Sequence, residues 1–558
     1  MAQVAAPVRE AQSGAGEGKR VLTGGQAMVA TLKRAGVDTI FGLPGVQLDG
    51  LFSALYDERD AIRVIHTRHE QATAYMADGY ARSTGKTGVC LVVPGPGLLN
   101  AMAGLSTAYA CNSPVFCLTG QIRSDLIGGG RGVLHEIPNQ LEMVRSVTKH
   151  SARAMTPAEI PSTVQEALRE LRRGRIRPVE VEVPPDVFFA EGEVELLPAV
   201  EPAVNSAGDP DRLDRIARLL GEAKQPIIYV GGGIHNAEAW EELLALAEVL
   251  QAPVVMSRNG KGAISDRHFL AQGPIAEKEL RQTADVMLAV GTRFLDWNES
   301  PREFLAGQTP IRIDIDTEEI CRTYDTQITL EADAKAALAA LVERVGRYGA
   351  RRPSREVELT ELKRGIVERV NGVRPHADFG LAIRAELPDE GIVVSEMTQV
   401  GYWAHVGFPV YRPRTYLSPG YQGTLGYGFT TGLGAKVGNP DTPVVSINGD
   451  GGFGFTLNEL STAAQHAIAA VTIVFNDNAF GNVKRIQEVD LDGKLIASDL
   501  RNPDFLKLAD AFSVRGARAD SPAALRVALR EAIKANEPSL IEVPVGPMVS
   551  HWRQLGLR

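Results

Sequence analysis

The residues best suited to chemistry lie in three short stretches. In NGDGGF, Asp450 stands between glycines, and an apolar run later comes Asn476-Asp477-Asn478. A hard divalent cation such as Mg²⁺ takes oxygen ligands in near-octahedral geometry, often with a phosphate oxygen among them. Glycines let backbone approach a phosphate, and a helix start favours an anion. A bare Gly-Asp-Gly could equally be a capped strand–helix turn. The second stretch, HTRHEQATAYMADGYAR, puts Glu70 at the opening of a helix, where its charge suits the helix dipole or a ligand nitrogen. His66 and His69 lie beside it and titrate near neutrality when unperturbed. The third set is Gln47 in FGLPGVQLDG and His135 in RGVLHEIPNQ, each either cleft-facing or an ordinary loop residue.

The elements that must position these groups alternate. GGQAMVATLKRAG has helical apolar spacing. Strands are expected at 38–41, 62–66, 88–93, 114–119 and 178–183, with helices at 70–83 and 156–175. Continuous apolar strands between helices imply a parallel sheet covered on both faces. GGGRG (128–132) reads as a loop, and 184–211 as a Pro- and Glu-rich linker. A second α/β unit has expected strands at 226–230, 253–256, 286–290 and 311–315. Its YVGGGI turn is of the nucleotide-binding kind but lacks the full GxGxxG spacing. A charged helix (351–374) leads to a third unit with strands at 391–395, 415–417 and 539–543. Within it, 444–485 reads as strand, Asp450 turn, amphipathic helix, strand VTIVF and Asn-Asp-Asn turn. Both oxygen-bearing turns then fall at carboxyl ends of parallel strands, where open α/β sheets bind ligands.

The chain's 558 residues exceed what one core supports, so several α/β domains are expected: 21–190, 205–345 and 370–548, after a flexible tail (1–20). A net charge of −9 leaves no basic footprint for nucleic acid and no polybasic membrane patch. No apolar run approaches the roughly 18–20 residues that span a bilayer, and the N-terminus has no signal-peptide core. Cys90, Cys111, Cys117 and Cys321 lack metal-ligand spacing and read as free thiols in a reducing cytoplasm.

Together these motifs resemble the thiamine diphosphate-dependent enzymes of the pyruvate decarboxylase and acetolactate synthase superfamily, over roughly residues 20 to 548. NGDGGF…NDNAF is similar to the family's cofactor motif, and RHEQATAYMADGYAR to the stretch carrying its activating glutamate. FGLPG, VVPGPGLLNAMAGLSTAY, SPVFCLTGQI, AVGTRF and IRIDIDTEEI are similar to acetolactate synthase large subunits in the same order. The resemblance implies two thiamine diphosphate-binding domains around a Rossmann-like one. It implies Mg²⁺ on Asp450, Asp477 and the Ala479 carbonyl. The cofactor would be held by Glu70, Gln399, Gly423, Leu425, Gly449, Gly451, Gly452 and Phe480, with Leu425 beneath its two rings. Glu70, His69, Gln47 and His135 would serve catalysis. The implied reaction decarboxylates a pyruvate-like 2-oxo acid and joins the remaining fragment to a second carbonyl. The alternative is a lyase or decarboxylase of 2-hydroxy ketones, 2-hydroxyacyl thioesters or aromatic 2-oxo acids. A homodimer sharing its sites, or a homotetramer, is implied. Three positions depart from the common pattern: Asp477 replaces Asn, Gly452 replaces a hydroxyl residue, and His135 replaces Gln. The turn at Gln47 also resembles benzaldehyde lyase. The middle unit is similar to the flavin domain of acetolactate synthases, but MSRNGKGAISDRH lacks their MGxG turn, leaving FAD or another nucleotide open.

Overall fold

The computed structural model describes residues 18–200, 205–293, 307–322, 328–349 and 352–555, apart from the side chains of Cys321, Arg322 and Trp552. Most of the expected tail, Phe294 of AVGTRF and the thiol of Cys321 therefore lie outside the described residues. Three six-stranded parallel sheets organise what is described. The first uses β2 (Thr39–Gly42), β3 (Arg63–His66), β4 (Gly88–Val92), β5 (Val115–Gly120), β6 (His150–Arg153) and β7 (Val179–Val183), in the order β3-β2-β4-β5-β7-β6. The second uses β9 (Pro226–Val230), β10 (Val254–Met256), β11 (Ala271–Gln272), β12 (Val286–Val290), β13 (Thr309–Asp314) and β14 (Ile328–Glu331), in the order β11-β10-β9-β12-β13-β14. The third uses β15 (Ile392–Ser395), β16 (Tyr416–Leu417), β17 (Val444–Gly449), β18 (Val471–Asn476), β19 (Arg515–Arg518) and β20 (Ser539–Pro544), in the order β16-β15-β17-β18-β20-β19.

Numbered from its own first strand, the first sheet reads 2-1-3-4-6-5, and so does the third. The middle sheet reads 3-2-1-4-5-6, the order of dinucleotide-binding folds. PIIYV and VMLAV are buried throughout, as strands covered on both faces must be. In the outer sheets the strand order reverses between β2 and β4, and between β15 and β17. The connections that follow those strands leave toward opposite faces there and open a crevice at the strands' carboxyl ends.

The outer sheets are locked together by the helices Glu70–Thr84 and Tyr427–Gly438. A Cβ on Gly79 would strike the Thr431 carbonyl, and one on Gly434 the Met76 carbonyl, so the two backbones touch. Further in, the Phe453 ring packs against both Phe429 and Phe505, with centroids 5.3 and 5.9 Å away.

Three expectations need correction. The continuous helix expected after Asp450 is broken into Asp450–Phe453, the 3-10 turn Leu457–Glu459 and Leu460–Gln465. Gly451, Gly452 and Gly454 make that run a poor helix former. The stretch read as a linker includes the helix Pro185–Phe189 and the strand β8 (Glu191–Val194), which pairs antiparallel with β1 (Arg20–Thr23). FGLPGVQLDG is more than a turn, since it runs into the helix Asp49–Asp57.

Candidate active site

At the crest of the third sheet, Gly449 pairs with Phe475, so the turns after β17 and β18 stand side by side. Asp450 is buried and its carboxyl comes within hydrogen-bonding reach of Asp477. Burial and the neighbouring Asp477 push the Asp450 carboxyl up to about 6, against an opposing hydrogen bond from Asn502. Asn476 is already engaged: its Nδ2 donates to Glu542 (2.8 Å) and its Oδ1 accepts from the Asn478 N–H (3.1 Å). Asn478 takes a left-handed conformation (φ 53°) that makes the turn. Of the three turn residues, Asp477 is the one facing Asp450. Ala479 bridges Asp499, flanked by bonds from the Phe480 N–H to Ser498 and from the Leu500 N–H to Asn478. In that antiparallel pattern Ala479 turns its own N–H and C=O away from residue 499.

Space around these acids is defined by absent side chains. A Cβ at Gly451 would meet the Phe480 ring, one at Gly452 the Glu396 carboxylate, and one at Gly481 an Asp477 carboxylate oxygen. The departure at Gly452 thus has a physical reason, because a buried glutamate occupies the room a side chain there would need. Glu396 accepts the Gly426 N–H (2.9 Å). Burial pushes its carboxyl up to about 8 despite backbone hydrogen bonds.

Among the described residues, no three His, Cys, Asp or Glu side chains gather into a self-sufficient metal cage. Two adjacent carboxylates and glycine-lined space form an incomplete, hard-oxygen donor set, with the Ala479 carbonyl two residues from Asp477 turned away from residue 499. That suits a small divalent cation whose remaining ligands are water and diphosphate oxygens.

Gln399 and Asn502 hold these acids from behind. Gln399 Nε2 donates to Asp477 Oδ2 (2.6 Å) and to the Gly546 carbonyl (2.9 Å), while its Oε1 meets His376 Nε2 (2.8 Å). Asn502 Nδ2 reaches Asp450 Oδ2 (2.6 Å), Asn476 Oδ1 (2.9 Å) and Asn478 Oδ1 (3.3 Å).

The first sheet's crest gathers a second group. Glu70 opens its helix, and its Oε2 accepts from Asn100 Nδ2 (3.0 Å). A Cβ on Gly97 would lie 3.6 Å from Glu70 Oε1, so the turn after β4 runs past this carboxylate. Gln47 is buried after β2; its Nε2 reaches the Leu134 carbonyl (3.4 Å) and its Oε1 has no hydrogen-bonding partner within the chain. His135 has φ 68°, a buried Nδ1 without a hydrogen-bonding partner, and a carbonyl against Gly95. Glu70, Gln47 and His135 therefore converge on the Pro94–Gly97 turn. Gln140 braces that turn by accepting the Gly95 N–H (2.9 Å) and donating to the Gly120 carbonyl (3.1 Å). His69 is occupied differently, since its Nδ1 caps the helix by accepting the Gln71 N–H (3.1 Å).

The groups meet through the loop before Tyr427. Gly423 and Gly426 take φ values of 58° and 83°, open to glycine at little cost. Between them, the Leu425 carbonyl accepts from Gln71 Nε2 (3.4 Å), next to Glu70. Glu459 of the third unit accepts the backbone N–H groups of Arg68 and His69 (2.9–3.0 Å). Sequence reading missed Glu396, Glu459, Asn502, Asn100 and His376. Glu396, three residues before Gln399, was the one signalled by position, as an acid at a strand's carboxyl end.

Where the middle unit meets the outer two, a cavity of about 800 Å³ opens at the Gly231–Gly233 turn after β9, with Arg82 and Arg175 of the first unit and Arg414 and Tyr421 of the third also lining it. Arg258, Arg293, Lys335 and Asp314 are among its lining residues.

Comparison with known proteins adds a consistent set of matches. Residues 22–143 match the thiamine pyrophosphate enzyme N-terminal TPP binding domain, 213–341 the central domain, and 396–543 the C-terminal TPP binding domain. A probable acetolactate synthase large subunit of Methanocaldococcus jannaschii is 34% identical, over 94% of this chain and 92% of that protein. The acetolactate synthase large subunit of Haemophilus influenzae is 32% identical, over 92% of each. A probable 2-ketoarginine decarboxylase of Pseudomonas aeruginosa is 35% identical, over 88% of this chain and 89% of that protein.

Proposed function

Because the chain belongs to the thiamine pyrophosphate enzyme family, we propose that it is a carboligase of the acetolactate synthase type. Its reaction decarboxylates a pyruvate-like 2-oxo acid and joins the remaining fragment to a second carbonyl. The observation that carries this reading is the pair of crests, one with two adjacent acids and the other with Glu70 between neutral polar groups. The named acetolactate synthases that align over nearly the whole chain support it.

When bound, thiamine diphosphate supplies a carbon acid and a sink for the electrons of the cleaved carbon–carbon bond. The chain's residues divide the remaining work. Asp450, Asp477 and the Ala479 carbonyl would hold Mg²⁺, and Mg²⁺ the diphosphate. Gly449, Gly451 and Gly452 admit it closely, with Phe480 packed on Gly451. Glu70, oriented by Asn100, would hold a proton against the pyrimidine ring and bias its tautomer. Leu425, its carbonyl tied to Gln71, would support the rings, and Gly423 shapes that loop. Gln47 and His135 would face the substrate carboxylate and carbonyl. In this reading, residues 21–190, 205–345 and 370–548 are the pyrimidine, central and diphosphate units of a homodimer or homotetramer.

Incubation with pyruvate, scoring CO₂ and acetolactate, tests the assignment. Both products are expected, and CO₂ without acetolactate sinks the carboligase. A decarboxylase without ligation is the second reading, favoured by the similarity to the probable 2-ketoarginine decarboxylase; 2-ketoarginine turnover in the same assay would establish it. The cationic lining of the middle cavity supports a nucleotide there, FAD among the candidates. Acid release from purified protein and an absorbance spectrum test that assignment.

A further inference from the structure

Strand β7, VEVEV, turns Glu180 and Glu182 to one face, and both are wholly buried. A buried carboxylate is stable only where donors surround it. Glu182 has them at both oxygens. Its Oε1 accepts from Gln121 Nε2 (3.2 Å) and from the Arg153 guanidinium, and its Oε2 accepts from Gln140 Nε2 (2.7 Å). Glu180 has no hydrogen-bonding partner among these groups. Burial first, then the neighbouring Glu182, push the Glu180 carboxyl well above the ordinary range. Gln140 joins Glu182 to the first crest. Its Oε1 accepts the Gly95 N–H (2.9 Å), and its Nε2 donates to the Gly120 carbonyl (3.1 Å) as well as to Glu182. The amide cannot be turned over, because a backbone N–H only donates and a carbonyl only accepts. Gly95 itself takes φ 58° and ψ −114°, a conformation open to glycine.

We propose that Glu182 is a positioning residue for the candidate active site: through Gln140 it holds the Pro94–Gly97 turn in place beside Glu70 and His135. A carboxylate at position 182 accepts at both ends, whereas a glutamine there has one oxygen. The Arg153 guanidinium claims that oxygen, since hydrogen bonds from a charged donor are the stronger. The NH₂ group then opposes Gln140 Nε2, and Gln140 keeps its grip on Gly95 and Gly120 only against that clash. The loss is felt at the turn. There the His135 carbonyl packs against Gly95, and Gly97 passes Glu70 Oε1. The bearing on chemistry rests on the reading of Glu70 proposed above.

Amide hydrogen exchange on the full-length protein without cofactor tests the placement, read by mass spectrometry on peptides spanning residues 92–98. Pro94 and Pro96 have no N–H, so few amides share the signal with Gly95. Glu182→Gln and Gln140→Met should each speed exchange there about tenfold or more. The double variant should be no faster than Gln140→Met, because Glu182 acts through that side chain. Glu180→Gln, on the same strand and equally buried, should leave this peptide unchanged. If the glutamine variant does not fold, Glu182→Asp keeps the charge for Arg153, shortens the reach to Gln140, and should speed the peptide about threefold or more. Exchange at the wild-type rate in the position-182 variant overturns the inference. So does a double variant faster than Gln140→Met. Equal acceleration by Glu180→Gln, or throughout β5 and β7, marks a general structural role and overturns it too. Deuterium exchange at the carbon acid of bound thiamine diphosphate, which needs no substrate, tests the consequence. Glu182→Gln should slow it on the order of ten- to hundredfold. An opened turn with carbon exchange at the wild-type rate overturns the functional role. If Glu70→Gln itself leaves carbon exchange unchanged, the Glu70 reading falls and takes the functional role with it, while the amide result still decides the placement.

Discussion

The first and third sheets share one strand order and bear different groups at the same place. In the first, the crevice between β2 and β4 is bordered by Gln47, the Pro94–Gly97 turn and, from β3, Glu70. Its acid is half-buried and answered by a neutral amide, Asn100. In the third, the crevice between β15 and β17 is bordered by Glu396, Gln399 and Asp450, with Asp477 beyond. Here several acids crowd a buried space, and two are pushed well above ordinary carboxyl values. The scaffold selects a place and leaves the chemistry to a few turn residues. One crest is arranged to hold charge, the other to hold a single proton donor or acceptor in position.

That division can be broken in order of expected effect. Glu70→Gln should lower turnover on the order of 10²–10⁴-fold while retention of thiamine diphosphate, measured by equilibrium dialysis without turnover, falls far less. An equal loss of both would mean that Glu70 serves retention as much as proton transfer. Asp450→Ala should do the converse. Retention at limiting Mg²⁺ should fall about a hundredfold, the ~3 kcal/mol scale of removing one partner from a buried charged pair. Retention that survives would erase the contrast between the crests. Gly434→Ala should destabilise the chain by about 1–3 kcal/mol in a denaturant titration, because its methyl meets the Met76 backbone. Gly365→Ala, in the helix Glu356–Asn371 with open space around it, should be neutral or stabilising in the same titration.

A separate effect concerns pH. Glu396 has a folded value of about 8 against an ordinary 4.5, so the fold binds a proton that the unfolded chain has released. Its contribution is fully present below about 4.5, falls as pH rises toward about 8, and is flat beyond. Glu396→Gln should remove about one proton from the pH dependence of unfolding in that window. An unchanged slope would mean that Glu396 is ionised in the folded chain.

Some of this architecture is legible in the residues themselves. Central strands such as PIIYV and VTIVF have no face to spare for water, and their apolar runs announce them. Short edge strands are different: β6, β11, β14 and β19 have a neighbour on one side only, and HSAR or RGAR carries no periodic signal. β7 misleads in another way. VEVEV alternates like a half-exposed strand, yet Glu180 and Glu182 are wholly buried, the latter held by Gln121, Gln140 and Arg153. Asp450 and Asp477 stand in recognisable turns. The residues that orient them come from far along the chain, as His376, Asn502 and Gly546 do, and only folding brings them near. The common order of the outer sheets is likewise invisible as a sequence repeat, since strand order is set by crossovers rather than by side-chain identity.

The contact between Gly79 and Thr431, and between Gly434 and Met76, leaves no side chain to act as a cushion between the two helices. One helix begins at Glu70, the other two residues after Leu425. The pair works as a caliper closed without padding: its jaws are set by main-chain thickness, with no rotamer to adjust the gap. The spacing from Glu70 to the Leu425 loop within a chain is therefore fixed by backbone. Substitutions elsewhere can alter what occupies that span but have little means of resizing it.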